Sequence, residues 1–163
     1  MKRHLGPIVA VLTVAVLAVS LPGALREAQA HGGFYLFSAR FFEDLPKRLA
    51  GPGRLRFLFQ PATAVLVGWG AGRSDARDRR PLFLRRIFGG GAMRSAALAE
   101  TLEGVGILLL MGILVDSAVQ WLLLGISYPG AALVVGPVLI TVPYAAARTL
   151  AGLRRTPAVQ EAP

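Results

Sequence analysis

The chain has no cysteine among its 163 residues. Because each of them needs a thiol, this absence excludes disulfide bonds, thiolate metal sites, a cysteine nucleophile and a lipidated cysteine anchor. Histidine is scarce as well, with two in the chain, and the sequence contains no G-x-S-x-G, H-E-x-x-H or P-loop motif. The sequence therefore predicts a protein that is not an enzyme and that binds no metal and no cofactor.

Charged residues are few, at 17% of the chain, while 54% of the residues are hydrophobic. The mean hydropathy is +0.55. Soluble domains are typically about 45–50% apolar, and their apolar residues are dispersed. Here the apolar residues gather into long runs, which predicts an integral membrane protein.

Acidic residues are fewer than basic ones. The chain has nine acidic and 18 basic residues, which gives a net charge of +9. A basic excess can bind nucleic acid, but no nucleic-acid-binding motif accompanies it here. The basic residues flank apolar runs, where they face anionic lipid headgroups and set orientation in the bilayer. We therefore expect the lipid bilayer as partner and no nucleic acid.

Residues 1–30 have the order of a secretory signal. Lys2 and Arg3 precede an apolar run from Leu5 to Leu21, and Ala28-Gln29-Ala30 ends the segment. This order predicts a signal peptide that is cleaved after Ala30. The apolar run is longer than a usual signal core of about 7–15 residues, so an uncleaved N-terminal anchor is the alternative.

Three further apolar or amphipathic segments follow before the turn at 125–129. Aromatic residues at near-helical spacing make 31–56 an interfacial amphipathic segment. Residues 57–72, which rise about 24 Å as a helix, either span the bilayer or re-enter it. Residues 104–124 rise about 31 Å, which matches a membrane thickness.

Residues 130–147 form the last apolar segment, and the turn before it is uncharged. The region 104–147 is therefore predicted to be an antiparallel transmembrane hairpin. The expected fold is all-α, a small helical membrane bundle of three to four apolar segments. Its membrane domain is 57–148, with a basic loop at 73–95 and a polar C-terminal tail at 149–163. The positive-inside rule places that loop on the cytoplasmic side.

Asp116 is the only charged residue between 104 and 147. An ionised carboxylate near the bilayer centre costs at least about 2.5–3.5 kcal/mol, so it requires a partner, a proton or a polar cavity. Gln120 lies one helical turn on, and antiparallel pairing brings Thr141 within about one turn. We expect these three residues to form either a polar clamp between helices or a proton, cation or substrate site.

Two other sets of polar residues are candidates at the membrane surface. The pairing of the hairpin places Glu103 and Arg148 at similar depth, which predicts an ion pair at the interface. Arg77, Arg79 and Arg80 in the basic loop are predicted to contact anionic lipid headgroups.

Five stretches carry a resemblance to a family of small bacterial membrane proteins with no known activity. They are RLRFLFQP (54–61), SDARDRRP (74–81), VDSAVQW (115–121), YPGAALVV (128–135) and VPYAAAR (142–148). The resemblance implies a multi-pass bundle in the bacterial cytoplasmic (inner) membrane. It implies no reaction and no catalytic residues.

These observations together predict a small integral membrane protein with an accessory or structural role, packing against a second copy or another membrane protein. The alternative is a transporter or channel component that uses Asp116.

Overall fold

The structure, a computed structural model, describes residues 2–50 and 52–154, and all regular structure within these ranges is helical. The prediction of an all-α fold is confirmed. The six α-helices are α1 (Lys2–Ala30), α2 (Ala39–Ala50), α3 (Arg56–Arg77), α4 (Phe83–Phe88), α5 (Gly91–Leu124) and α6 (Pro129–Leu153), and a short 3₁₀ helix covers Pro52–Leu55. Most of the predicted polar tail at 149–163 lies outside the described residues.

Three of these helices are long and apolar enough to cross a membrane, over Leu5–Ala30, Gly91–Leu124 and Pro129–Leu153. They make the chain a multi-pass membrane protein by length and composition. The apolar segment predicted at 57–72 is helical within α3, but α3 is not among these three helices. Arg56 and Arg73 bracket the segment, and Gln60 and several glycines lower its hydropathy.

The helices extend beyond the apolar segments on which the predictions were based. The structure begins α5 at Gly91, 13 residues before the predicted start at residue 104, and α6 ends at Leu153 rather than at residue 147. The predicted loop at 73–95 contains the end of α3, all of α4 and the first turn of α5. Hydropathy locates the lipid-facing part of a helix, whereas alanine, leucine and glutamate, which favour helix, extend it into polar sequence.

The chain folds into two compact units. The first comprises Met1–Pro61 and Gly106–Ile140. In this unit, a Cβ added to Gly136 of α6 would lie 2.7 Å from the backbone of Gly112 in α5. The two helices therefore touch backbone to backbone, as the pair of small residues Ala132 and Gly136 allows. Gly6 and Gly23 of α1 lie against the side chains of Ile107 and Ile126.

The second unit comprises Ala62–Val105 and Thr141–Pro163. Here α3 and α6 approach closely, because Gly68 lies against the backbone of Tyr144 and Gly72 against that of Arg148. Gly68 and Gly72 are four residues apart and so share one face of α3, the small-xxx-small arrangement that permits such contact. Gly70 lies between them in sequence, and a methyl group added there would meet no atom of the described residues within 4 Å.

We predict that Gly68→Ala and Gly72→Ala destabilise the protein, whereas Gly70→Ala does not. A methyl group at either contact position would overlap a backbone carbonyl of α6, and overpacking of this kind typically costs about 1–3 kcal/mol. At Gly70 the same change should stabilise the helix by up to about 1 kcal/mol. The measurement is the free energy of unfolding in detergent micelles, titrated with a denaturing detergent.

Gly70→Ala is the matched control, since it makes the same chemical change in the same helix. Equal unfolding free energies for the three variants would show that α3 and α6 do not pack through these glycines.

Candidate functional site: two buried arginine–carboxylate clusters

The first cluster is built around Asp116 in α5, and we call it the Asp116 cluster; its members are Arg48, Arg56, Asp116 and Gln120. Asp116 and Gln120 lie one helical turn apart on the same face. The Nε2 of Gln120 donates a hydrogen bond to Oδ2 of Asp116 at 2.5 Å. The Oε1 of Gln120 accepts a hydrogen bond from the backbone N–H of Tyr128 at 2.7 Å. Gln120 thus joins the carboxylate to the turn that precedes α6.

Two arginines face this carboxylate. Arg56, the first residue of α3, forms an ion pair with Oδ1 of Asp116, and Nη1 of Arg48 in α2 lies 3.9 Å from the same oxygen. All three residues are buried, with Arg48 0% and Asp116 1% exposed. Burial lowers the pKa of the Arg56 guanidinium, and the charge of Asp116 acts in the opposite direction. Breaking such a pair leaves a buried charge without compensation.

Aromatic rings hold Arg48 in place. Its guanidinium carbon lies 5.5 Å from the ring centroids of both Tyr35 and Phe41, a favourable cation–π distance. Its Nη2 donates to the hydroxyl of Tyr35 at 3.3 Å, and that hydroxyl donates to Asp44 at 3.0 Å. Tyr35 also stacks on Tyr128, with centroids 3.8 Å apart. Burial raises the pKa of Tyr35 to about 12, so its hydroxyl remains protonated at neutral pH.

The second cluster lies in the second unit and is centred on Arg148 of α6; we call it the Arg148 cluster, and its members are Asp75, Arg86, Glu100 and Arg148. Arg148 binds Asp75 with two hydrogen bonds, from Nε at 2.6 Å and from Nη2 at 3.0 Å. The same Nη2 donates to Glu100 at 2.8 Å, and Nη1 donates to the hydroxyl of Tyr144 at 3.0 Å. Every nitrogen of this guanidinium therefore has an acceptor.

Arg86 of α4 completes this cluster. Its Nη1 and Nη2 donate to the two oxygens of Glu100 at 2.9 and 2.7 Å. These hydrogen bonds raise the pKa of Arg86, against the opposing effect of burial. Two carboxylates and two buried arginines balance in charge, which is the arrangement of a structural ion-pair network.

The structure places the predicted site residues as follows. Gln120 is hydrogen-bonded to Asp116, whereas Thr141 is a half-buried residue of α6 in the second unit. The predicted partner of Arg148 was Glu103, but the structure pairs Arg148 with Asp75 and Glu100. Glu103 is exposed and forms no ion pair within 2–50 and 52–154. Glu100 and Glu103 lie on neighbouring turns of α5. Pairing residues of the two hairpin helices by their depth in the membrane is too coarse to decide which of the two glutamates meets Arg148.

Arg77, Arg79 and Arg80 are all exposed. Arg80 is engaged by Asp78 at 3.4 Å and by Glu100 at 3.1 Å. Arg77 lines a basic cleft of about 320 Å³ together with Trp69, Arg73 and Arg154. The exposed guanidinium groups of this region have the chemistry that the predicted headgroup contacts require.

Sequence reasoning missed the two arginines at Asp116 and the carboxylate partners of Arg148. Arg48 belonged to the segment predicted to lie at the interface, and Arg56 appeared as the flank of an apolar run. Asp75 lies in the predicted basic loop at 73–95, and nothing local in the sequence indicates that it reaches Arg148. The sequence does contain one signal for the Asp116 cluster. Arg48 and Arg56 border apolar sequence, and arginines in such positions are suitable partners for an acid within an apolar helix.

The fold and the two clusters define a helical multi-pass membrane protein with charged residues buried among its helices. Compared with known protein families, curated proteins and solved structures, the chain matches none.

We predict that Arg148→Met destabilises the protein by about 3–5 kcal/mol, because the buried carboxylate of Asp75 loses both of its hydrogen bonds from Arg148 and keeps only the 3.8 Å contact with Arg86. Adding Asp75→Asn to that variant should restore part of the loss, since the unpaired charge is then removed. The measurement is a double-mutant cycle of unfolding free energies in detergent.

Arg85→Met is the matched control, because Arg85 is an exposed arginine of the same unit with no ion pair in the part of the chain that is described. Strict additivity of the two changes would contradict a direct interaction between Asp75 and Arg148.

Proposed function

We propose that the chain is a small multi-pass protein of a bacterial cytoplasmic membrane, with an accessory or structural role and no enzymatic activity. Three helices long and apolar enough to cross a bilayer support the membrane setting. The sequence resemblance described above supports the bacterial cytoplasmic membrane.

One observation supports the structural role most directly. Asp75 and Asp116 are the buried acids among the described residues, and each is engaged by an arginine. A proton carrier needs a carboxylate that can exchange its proton with water. The oxygens of Asp116 are instead occupied by Arg56 and Gln120. Such contacts hold helices together in an apolar setting, and their loss leaves an unpaired charge.

The proposed partners are the lipid bilayer, anionic headgroups, and a second copy or another membrane protein. Exposed apolar side chains along α1, such as Val11, Val14 and Val19, suit contact with lipid or with an apolar partner helix. The basic cleft formed by Trp69, Arg73, Arg77 and Arg154 suits an anionic headgroup.

A transporter or channel component using Asp116 is the second candidate. It is favoured by the burial of this acid, 1% exposed, within a helix long enough to span the membrane. Ionisable residues in such positions are functional candidates by default.

We predict that Asp116→Asn destabilises the protein by about 3–5 kcal/mol, because Arg56 then loses the charge that compensates its burial. Neither the parent nor the variant should support a pH-dependent ion flux in liposomes. The measurements are the unfolding free energy in detergent and a flux assay with a pH-sensitive dye.

Asp78→Asn is the matched control, because Asp78 is an exposed acid with a half-exposed arginine partner, and it should match the parent. If Asp116→Asn is as stable as the parent and abolishes a flux that the parent supports, the structural role is excluded in favour of transport.

We also propose that α1 remains attached as an N-terminal anchor rather than being cleaved as a signal peptide. Val9, Thr13 and Ser20 are buried, and Gly6 and Gly23 lie against Ile107 and Ile126 of the same unit. Cleavage after Ala30 would remove these packing contacts.

N-terminal sequencing of protein extracted from membranes should therefore find α1 still attached. A sequence that begins at His31 would show cleavage after Ala30 and would contradict the anchor.

A further inference from the structure

The Asp116 cluster contains more positive charge than negative. Arg48 and Arg56 contribute two guanidinium groups, whereas Asp116 contributes one carboxylate, and all three side chains are buried. Asp44 of this unit interacts electrostatically with Arg48 and is linked to it through the hydroxyl of Tyr35, but its own hydrogen bonds come from Tyr35 and Lys47. Arg40 is engaged by Glu27. Among the residues that the structure describes, two buried arginines thus face one buried carboxylate, and the partly buried Asp44 provides only an indirect counter-charge.

The unpaired hydrogen-bond donors of this cluster outnumber its unpaired acceptors, since Oδ1 of Asp116 is the one oxygen of the cluster that lacks a hydrogen-bond partner among the described residues. Five guanidinium nitrogens in this cluster have no hydrogen-bond acceptor within the described ranges, namely Nε and Nη1 of Arg48 and Nε, Nη1 and Nη2 of Arg56. Arg56 Nη1 and Arg48 Nη1 meet Asp116 only as ion-pair contacts. Buried donors of this kind are costly when unsatisfied, and the cost is greatest for a charged group.

The Arg148 cluster shows that this imbalance is not general in the chain. There, two buried arginines face two carboxylates, the exposed Arg80 pairs with both Glu100 and Asp78, and each nitrogen of Arg148 has an acceptor. The arginines of both clusters are buried. The excess of donors and of charge is thus a specific property of the site at Arg48 and Arg56.

We propose that Arg48 and Arg56 form a binding site for one small monovalent anion, of which chloride is the example. A single negative charge balances two guanidinium groups and one carboxylate. The unpaired nitrogens are buried, which favours an ion that is small and gives up its hydration water at low cost. Phosphate and sulfate are larger, more strongly hydrated and carry excess charge. This inference goes beyond the structural role proposed above and does not depend on it.

The test uses the full chain purified in a nonionic detergent and exchanged into sodium gluconate. Sodium chloride then replaces gluconate at constant ionic strength while the melting temperature is recorded. An ion that binds the folded state raises the melting temperature in a saturable way. We expect such a rise with chloride, and none when sodium sulfate or sodium phosphate is the added salt at matched ionic strength.

Arg48→Gln removes one of the two cations, and Arg54→Gln is the matched control because Arg54 is exposed in the neighbouring 3₁₀ helix. Arg48→Gln should weaken chloride binding by at least about tenfold, the loss expected for a hydrogen bond to a charged group. Arg54→Gln should bind chloride as the parent does. Equal binding by both variants would place the ion elsewhere and overturn the proposal.

Equilibrium binding of radioactive chloride to the parent protein needs no variant and keeps the proposal testable if Arg48→Gln does not fold. We expect one ion per chain. Absence of saturable binding, or stabilisation by phosphate rather than chloride, would overturn the proposed site.

Discussion

The arginine–carboxylate pair within apolar surroundings is the interaction on which each unit of this protein depends. A carboxylate or a guanidinium alone in such a place costs several kcal/mol, whereas a hydrogen-bonded pair offsets much of that cost. Asp75 with Arg148 in the second unit is such a pair, whereas Asp116 and Arg56 in the first unit form an ion pair without a hydrogen bond. Arginine suits the role better than lysine, because its planar fork donates two parallel hydrogen bonds to one carboxylate, as Arg148 does to Asp75.

Close approach of the helices is the condition that makes these pairs possible. In the second unit, Gly68 and Gly72 bring α3 against the backbone of α6 at Tyr144 and Arg148, next to the position where Arg148 reaches Asp75. In the first unit, Gly112 and Gly136 bring α5 against α6, while the arginine partners of Asp116 reach it from α2 and α3. The buried ion pairs therefore depend on small residues at the helix contacts. A larger side chain at such a contact would separate the helices and place the charged groups beyond hydrogen-bonding distance.

The all-α fold and the apolar helices could be predicted because length and hydropathy are local properties of the sequence. The region 104–147 illustrates this, since its two apolar runs lie within α5 and α6. Helix ends were predicted less well, because residues 91–103 are polar enough to resemble a loop yet favour helix. The hydrogen bond between Gln120 and Asp116 could be anticipated from spacing along one helix. The partners Arg48, Arg56 and Asp75 could not, because long-range pairing depends on how separate segments pack.

Gln120 orients its amide in only one sense, with nitrogen toward Asp116 and oxygen toward the backbone of Tyr128. The residue that most resembles it in shape, glutamate, would set two negative groups against each other where an attraction now exists. Deamidation of this single buried side chain would thus turn a contact that fastens the turn before α6 into a repulsive one.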